Sequence, residues 1–274
     1  MANHDLTPQL FAILTALIEE RVGLSYAPTD QALLASKVAT RATEAGFESL
    51  LDYYYFLRYD TDSAREFEAL VNALVVNETF FFREFAPLQV AVTQFLLPLV
   101  NSGHTPRVWC AACSTGEEPL SLAMLLDQHE ILQNVQLVAT DVSTSALDRA
   151  RTGRHSPRSL RHVPSPELVN KWLRVEDNGI VVLPELKRAI DWRHVNLFDT
   201  EAVEALGSFD VILCRNVLIY FRDQLVSRVV GLLRERLRAD GALFVGVSES
   251  LMRFGSALEC EERAGVFLYR KPQS

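Results

Sequence analysis

From residue 107 onward the chain repeats one device, a short apolar run that ends in small or polar residues and leads into a helical stretch. The runs are 107–110, 135–139, 209–214 and 242–247, with 190–195 a more polar stretch of the same length and helical spacing over 115–127 and 222–238. Runs this short read as strands, and strand, helix, strand succession requires right-handed crossovers between parallel neighbours. An α/β domain with a doubly wound sheet is therefore predicted, with 266–269 as a closing edge strand. Between its halves, 151–188 holds four prolines and shows clear periodicity only from Gly179 to Leu183, which suggests an insertion carrying a small β element.

The first part of the chain is helical. Thr7 and Pro8 make an N-cap and first-turn pair, and Leu10, Phe11, Leu14, Leu17 and Ile18 follow at helical spacing. Asp30 opens a second helix that closes near Gly46, and 47–59 and 63–76 read as two more. The expected division is a helical domain with linker over 1–88 and an α/β domain over 89–274, with the insertion at about 151–189.

Composition narrows the function classes. No apolar run approaches 18 residues in the 274-residue chain, and 209–221 is interrupted by Arg215 and Asn216, so membrane insertion is not expected. The start, MANHDLTPQL, has neither the basic nor the apolar region of a secretory signal. A cytoplasmic protein is expected, read as a monomer. A net charge of -8 disfavours nucleic acid as a partner. Cys110 and Cys113 form a lone C-x-x-C, read as small apolar residues at a strand end rather than a metal or redox site.

In open α/β sheets ligands sit at the carboxyl ends of the strands. After the first strand, residues 111–118 read A-A-C-S-T-G-E-E, a small-residue loop entering a helix. It lacks G-x-G-x-x-G, and Glu117 and Glu118 oppose a phosphate, which argues against a dinucleotide. The second strand ends at Asp141, 25 residues beyond Gly116, where an acid accepts the hydroxyls of a ribose or else caps the next helix. A nucleoside without a diphosphate fits these features. The third strand ends in Asn196-Leu197, an amide and an apolar neighbour suited to an adenine edge. The fourth ends in Arg215-Asn216, whose burial in so apolar a run demands either a ligand or a structural network, with the ligand favoured from fold position. Tyr220 lies just beyond. The joining segment 77–83, N-E-T-F-F-F-R, offers Asn77, Thr79 and Arg83 to the cleft, with its phenylalanines as an apolar plug.

Taken together, N-E-T-x-F-F-R, S-T-G-E-E-P, A-T-D, V-N-L and C-R-N-V-x-I-Y-F resemble the CheR-type chemotaxis receptor methyltransferases. The resemblance implies a small helical domain followed by an S-adenosylmethionine-binding domain with an inserted β-subdomain. It also implies methyl transfer from S-adenosylmethionine to glutamate side chains on the cytoplasmic helical region of methyl-accepting chemoreceptors. Position by position, it implies that Asn77, Thr79 and Arg83 close over the cofactor and that Glu117 holds its amino acid end. Asp141 then takes the ribose, Asn196 and Leu197 the adenine, and Arg215 and Asn216 the methionine portion, while Arg83 and Tyr220 face the incoming glutamate. No metal is implied.

A glutamate is already an anion at neutral pH, so this chemistry needs no general base. Lys37 and Arg41 share one face of the second helix and match the basic stripe that the family presents to its acidic receptor. Yet 1–88 holds 6 Lys or Arg against 13 Asp or Glu, whereas 145–195 holds 10 against 6, a net of +4, which makes the insertion the rival docking surface. The short turn at 176–179 carries no additional glycine-bearing loop, so no pentapeptide tether is expected. The alternative is a signalling adaptor that binds S-adenosylmethionine without turnover.

Overall fold

The computed structural model describes residues 5–161, 163–176, 179–255 and 257–272. They form two units, the first being 1–76 with 220–222 and the second 77–219 with 223–274. The boundary differs from the expected division at 88. Phe81 and Phe82 are buried in the core of the second unit, so the joining segment folds with that unit rather than with the helices before it.

The first unit packs α1 (Pro8–Val22), α2 (Gln31–Glu44), α3 (Leu50–Tyr59) and α4 (Ala64–Leu74). The Thr7 hydroxyl accepts the Leu10 N–H at 3.3 Å, Pro8 fills the first turn, and Gly23 closes α1 with a left-handed φ of 76°. Leu14, Ile18, Leu34, Val38, Tyr53, Leu57 and Leu70 form the shared core. Ser49 accepts the Asp52 N–H and so starts α3 three residues later than the apolar pattern suggested.

The second unit opens with α5 (Phe85–Val90), a π turn over Ala91–Leu96 and α6 (Leu97–Asn101). There follow β1 (Arg107–Ala111), α7 (Glu117–Gln128), β2 (Gln136–Asp141), α8 (Thr144–Thr152), β3 (Arg154–His155), α9 (Pro166–Trp172), β4 (Leu173–Glu176) and β5 (Gly179–Val182). The chain ends through α10 (Pro184–Arg188), β6 (Ile190–His194), α11 (Thr200–Glu204), β7 (Phe209–Cys214), α12 (Asp223–Arg236), β8 (Leu237–Val245), β9 (Glu259–Arg263) and β10 (Val266–Arg270).

The main sheet has the order β6-β2-β1-β7-β8-β10-β9. Its first five strands are parallel, and β10 runs antiparallel to both neighbours. The strand order reverses at β1, with β2 on one side and β7 on the other, which is the switch point of a doubly wound sheet. One expectation is corrected. Strand β10 lies inside the sheet, and the edge is β9, whose sequence E-C-E-E-R carries no apolar alternation to betray it. The insertion forms the expected small sheet, antiparallel in the order β3-β5-β4. Asp177 and Asn178, at the centre of the turn on which the tether expectation rests, lie outside the described residues.

At the amino ends of the strands Arg107 donates to the carbonyls of Ser208 (2.9 Å) and Leu206 (3.0 Å), while its backbone N–H meets Asp210 at 2.7 Å. This ties the floor of the sheet and leaves the opposite face for chemistry.

Candidate functional site

The carboxyl ends of the parallel strands concentrate backbone strain. Five non-glycine residues with left-handed φ stand there: Phe82 and Glu84 in the joining segment, Ala112 and Ser114 after β1, and Asn216 after β7. Such conformations cost of order 1–3 kcal/mol each and persist where the surrounding structure fixes them, which marks functional loops. Gly116, with φ of 92°, completes the loop into α7. A Cβ there would stand 2.7 Å from Ala150 Cβ and 2.9 Å from the Trp192 ring. Gly116→Val is therefore expected to lower stability by roughly 2–4 kcal/mol, from strained φ and overpacking together, as urea denaturation would measure.

Asp141 is buried at the end of β2. Its Oδ2 accepts the Ser114 N–H at 2.7 Å and its Oδ1 the Ser143 N–H at 2.8 Å. Burial pushes its carboxyl up, against the pull of the Ser143 and Ser114 N–H groups. The helix cap itself is Ser143, whose hydroxyl accepts the Ala146 N–H. Asp141 thus braces the β1 loop against the start of α8, and its remaining lone pairs are suited to hydroxyl donors. Asn77 joins the same corner, its Oδ1 accepting from the Ser114 hydroxyl at 3.3 Å. The Val195 N–H donates to the Asp141 carbonyl, which sets Asn196 and buried Leu197 beside Asp141. The Asn196 Oδ1 accepts the Phe198 N–H at 3.0 Å.

Glu117, first residue of α7, is buried. Its Oε2 accepts from the Thr115 hydroxyl at 2.7 Å, and its Oε1 lies 3.0 Å from both His155 Nδ1 and Ser159 Oγ. Burial pushes this carboxyl up, but the His155 and Thr115 hydrogen bonds outweigh it and hold Glu117 below the usual carboxylate value.

Arg215 is 5% exposed and gathers both flanks of the site. It donates to Glu118 Oε2 (2.7 Å), Glu84 Oε2 (3.0 Å), the Arg83 carbonyl (2.8 Å) and the Glu84 carbonyl (3.2 Å). Asn216 donates through Nδ2 to Glu84 Oε1 at 3.1 Å, and its N–H meets Glu249 Oε2 at 2.7 Å. Burial raises Glu118 with Arg215 opposing, whereas Glu84 is held low, its burial outweighed by the Arg215 charge and the Asn216 bond. The demand that sequence placed on Arg215 and Asn216 is thus met by a protein network. Of the Arg215 nitrogens, Nε is buried without a partner.

Arg83 sends Nη1 to the Glu78 carbonyl at 2.8 Å, its guanidinium over the Phe80 ring, and Thr79 is half-buried in the same segment. Tyr220 groups with the helical unit, where its carbonyl accepts the Ser25 N–H at 2.9 Å. The basic pair on α2 is spent within that unit. Arg41 forks onto Glu66 (2.8 and 2.7 Å) and also meets Glu44, while Lys37 donates to the Leu74 carbonyl at 3.1 Å.

Sequence reading missed Glu84, Glu249, His155 and Ser159. Glu249, buried after β8, accepts the N–H groups of Asn216, Gly246 (both 2.7 Å) and Ile219 (3.3 Å), and so shapes the β7 loop. The one available signal was Gly246 followed three residues later by an acid, because a Cβ at Gly246 would stand 2.6 Å from Asn216 Nδ2.

Among the described residues, no group of three His, Cys, Asp or Glu could hold a metal ion. Burial pushes the Cys110 and Cys113 thiols well up, which keeps them protonated and inert. No helix among the described residues is long and apolar enough to cross a membrane.

The residues present fit S-adenosylmethionine. The small-residue loop allows close approach, Asp141 suits a ribose, and the surplus of acid in Glu84, Glu117, Glu118 and Glu249 suits a ligand with sulfonium and ammonium charges better than a phosphate. The comparisons agree. The all-alpha domain model of the CheR methyltransferases matches residues 9–75, and their S-adenosylmethionine (SAM) binding domain model matches 77–265. Chemotaxis protein methyltransferase 2 of Vibrio cholerae is 32% identical over 259 residues, 92% of this chain and 89% of that protein. Chemotaxis protein methyltransferase 1 of Pseudomonas aeruginosa is 31% identical over 278 residues, 98% of each chain. Chemotaxis protein methyltransferase of Vibrio parahaemolyticus is 33% identical over 261 residues, 92% of each chain. With both of its units matched in order by the two domains of one family, this chain belongs to the CheR methyltransferases and is an enzyme that uses S-adenosylmethionine.

Proposed function

We propose that the enzyme methylates glutamate side chains on the cytoplasmic helical region of methyl-accepting chemoreceptors, giving glutamate methyl esters. The observation that supports this reading is that, among the described residues at the strand ends, each histidine has one ring nitrogen already engaged by the protein. His155 is buried with Nδ1 on Glu117, and His194 directs Nε2 to the Val142 carbonyl at 2.9 Å. A carboxylate of pKa about 4.3 is already ionised and asks no proton transfer of the site. The relatives' names, which place them in chemotaxis, support the same substrate class.

When bound, S-adenosylmethionine supplies an electrophilic methyl on sulfur. The glutamate oxygen forms a bond to that carbon as the carbon–sulfur bond breaks, the electron pair stays on sulfur, and no proton moves. The protein's task is placement in line, an entropic contribution on the order of 7 kcal/mol or more. In this reading Asp141 takes the ribose, Asn196 and Leu197 the adenine, and Glu117 the amino group. Arg215 and Asn216 lie along the methionine chain, with Arg215 setting the Arg83 and Glu84 backbone rather than touching solvent. Asn77 and Thr79 with Arg83 cover the cofactor, and Arg83 and Tyr220 orient the incoming carboxylate without pairing it so tightly that it loses nucleophilicity.

The docking face in this reading is the inserted subdomain, because segment 145–195 carries a net charge of +4 whereas 1–88 is acidic overall. The enzyme acts in the cytoplasm, as a monomer and without a pentapeptide tether.

The test is transfer of radiolabelled methyl to a receptor cytoplasmic fragment, with release of label as methanol in mild base as the mark of an ester. Arg83→Ala and Tyr220→Phe are each expected to lower kcat by about 10- to 100-fold, the cost of lost orientation. Turnover unchanged in both removes the orienting role. Cofactor binding with no transfer to any receptor fragment points instead to the adaptor.

A further inference from the structure

Three side chains attend the buried Glu117, and two of them come from the insertion. His155 belongs to β3 and Ser159 to the turn that follows, and both stand 3.0 Å from Glu117 Oε1, while Thr115 holds Oε2. A carboxylate only accepts, so the His155 proton facing it is on Nδ1. The other ring nitrogen, Nε2, is buried and has no partner. The ring also packs edge-on against Phe81 at 5.0 Å, and the Phe81 N–H donates to the Ser159 carbonyl at 2.8 Å. The insertion is thereby fastened to the first acid of α7 and to the joining segment at one point.

We propose that His155 and Ser159 are positioning residues of the methyl-donor site, holding Glu117 ionised and in one rotamer so that it receives the cationic amino group of S-adenosylmethionine. This rests on the reading of Glu117 as the ligand of that amino group. Burial alone favours the neutral acid, which offers an ammonium only a weak dipole. Donors on both carboxylate oxygens reverse that preference and fix the side-chain torsions, and lone pairs remain for the ligand. The inserted subdomain is then part of the cofactor site as well as a surface.

The two ring nitrogens give a sharp test. An asparagine amide nitrogen overlies Nδ1 of histidine, and a glutamine amide nitrogen overlies Nε2. The full chain carrying Glu117→Gln, Ser159→Ala, His155→Phe, His155→Asn or His155→Gln is titrated calorimetrically with S-adenosylmethionine, and initial rates are measured on a receptor fragment. His155→Phe and Ser159→Ala are each expected to raise Kd and KM for S-adenosylmethionine about tenfold, the usual effect of removing a hydrogen bond that orients a binding group, with kcat within about twofold. His155→Asn restores most of the affinity and His155→Gln does not. If Glu117→Gln binds as the native enzyme does, the ligand role of Glu117 falls, and this proposal with it. Weakened binding by Glu117→Gln with native binding by His155→Phe and Ser159→Ala overturns the positioning role alone. So does rescue by glutamine as good as rescue by asparagine, because the donor at Nδ1 is then not what matters. Unfolding midpoints measured alongside identify a variant that has lost its fold, and Ser159→Ala, a small deletion, then carries the test.

Discussion

Arg215→Ala is expected to destabilise the second unit by about 3–5 kcal/mol, because it leaves two carboxylates in a buried cluster with no cation. Glu84 and Glu118 both depend on this guanidinium, whose side chain is 1% exposed. The loss has a distinctive pH dependence. In the native protein Arg215 opposes the rise that burial imposes on Glu118 and helps hold Glu84 low. Without it both carboxyls rise in the folded state above their unfolded values, so the folded variant binds more protons than the unfolded chain in the window between. Stability of the variant therefore falls as pH rises through that window, and its deficit against the native enzyme shrinks toward acid. Urea denaturation of both proteins between about pH 5 and 8 measures this. A deficit that is constant across the range would show that Arg215 acts through packing alone. Because Arg215 also sets the backbone of Arg83 and Glu84, the variant is expected to lose turnover even where it remains folded.

Asp141→Ala is the second large effect, and it falls mainly on binding. The substitution removes two charge-assisted bonds, to the Ser114 and Ser143 N–H groups, at a cost of roughly 2–4 kcal/mol of stability. It also frees the β1 loop, where Ala112 and Ser114 hold left-handed conformations that the bracing sustains. Affinity for S-adenosylmethionine is expected to fall by at least about 100-fold, from loss of the proposed ribose contacts and of the ordered loop together. Asp141→Asn separates the two causes, since one amide oxygen retains a single N–H partner while the amide nitrogen opposes the other. Calorimetric titration with S-adenosylmethionine and S-adenosylhomocysteine checks both variants. Equal loss for the two ligands assigns the effect to the nucleoside end that they share.

The parallel half of the sheet was legible because most of its strands are short apolar runs closed by polar or small residues, with β6 the more polar exception. Asp141, Asn196, Arg215 and Asn216 were singled out that way, by position alone, and the structure places each at or just beyond the end of a parallel strand. What escaped was whatever depends on partners far along the chain. Glu84 lies 131 residues before Arg215, and Glu249 lies 33 after Asn216, so no local spacing announces either acid. Sequence required that Arg215 be satisfied and favoured a ligand for the purpose, whereas the fold supplies acceptors from the joining segment and α7. His155 escaped because the insertion has little periodicity, and β9 because its charged side chains give no alternation to read. The helix over 85–101 was hidden by its own π turn, which shifts the apolar face out of register.

The character of the sheet's two free margins bears on how the protein behaves when it is crowded. One margin is β9, with Glu259, Glu261, Glu262 and Arg263, and the other is β6, with Asp191, Arg193 and His194. Unpaired N–H and C=O groups on such margins invite a neighbouring chain to extend the sheet. Here an incoming strand meets Arg263 paired to Glu261 on one side and Arg193 paired to Asp191 on the other, and must strip water from those ions before any ladder forms. The enzyme can therefore stand at high concentration while its own sheets stay apart.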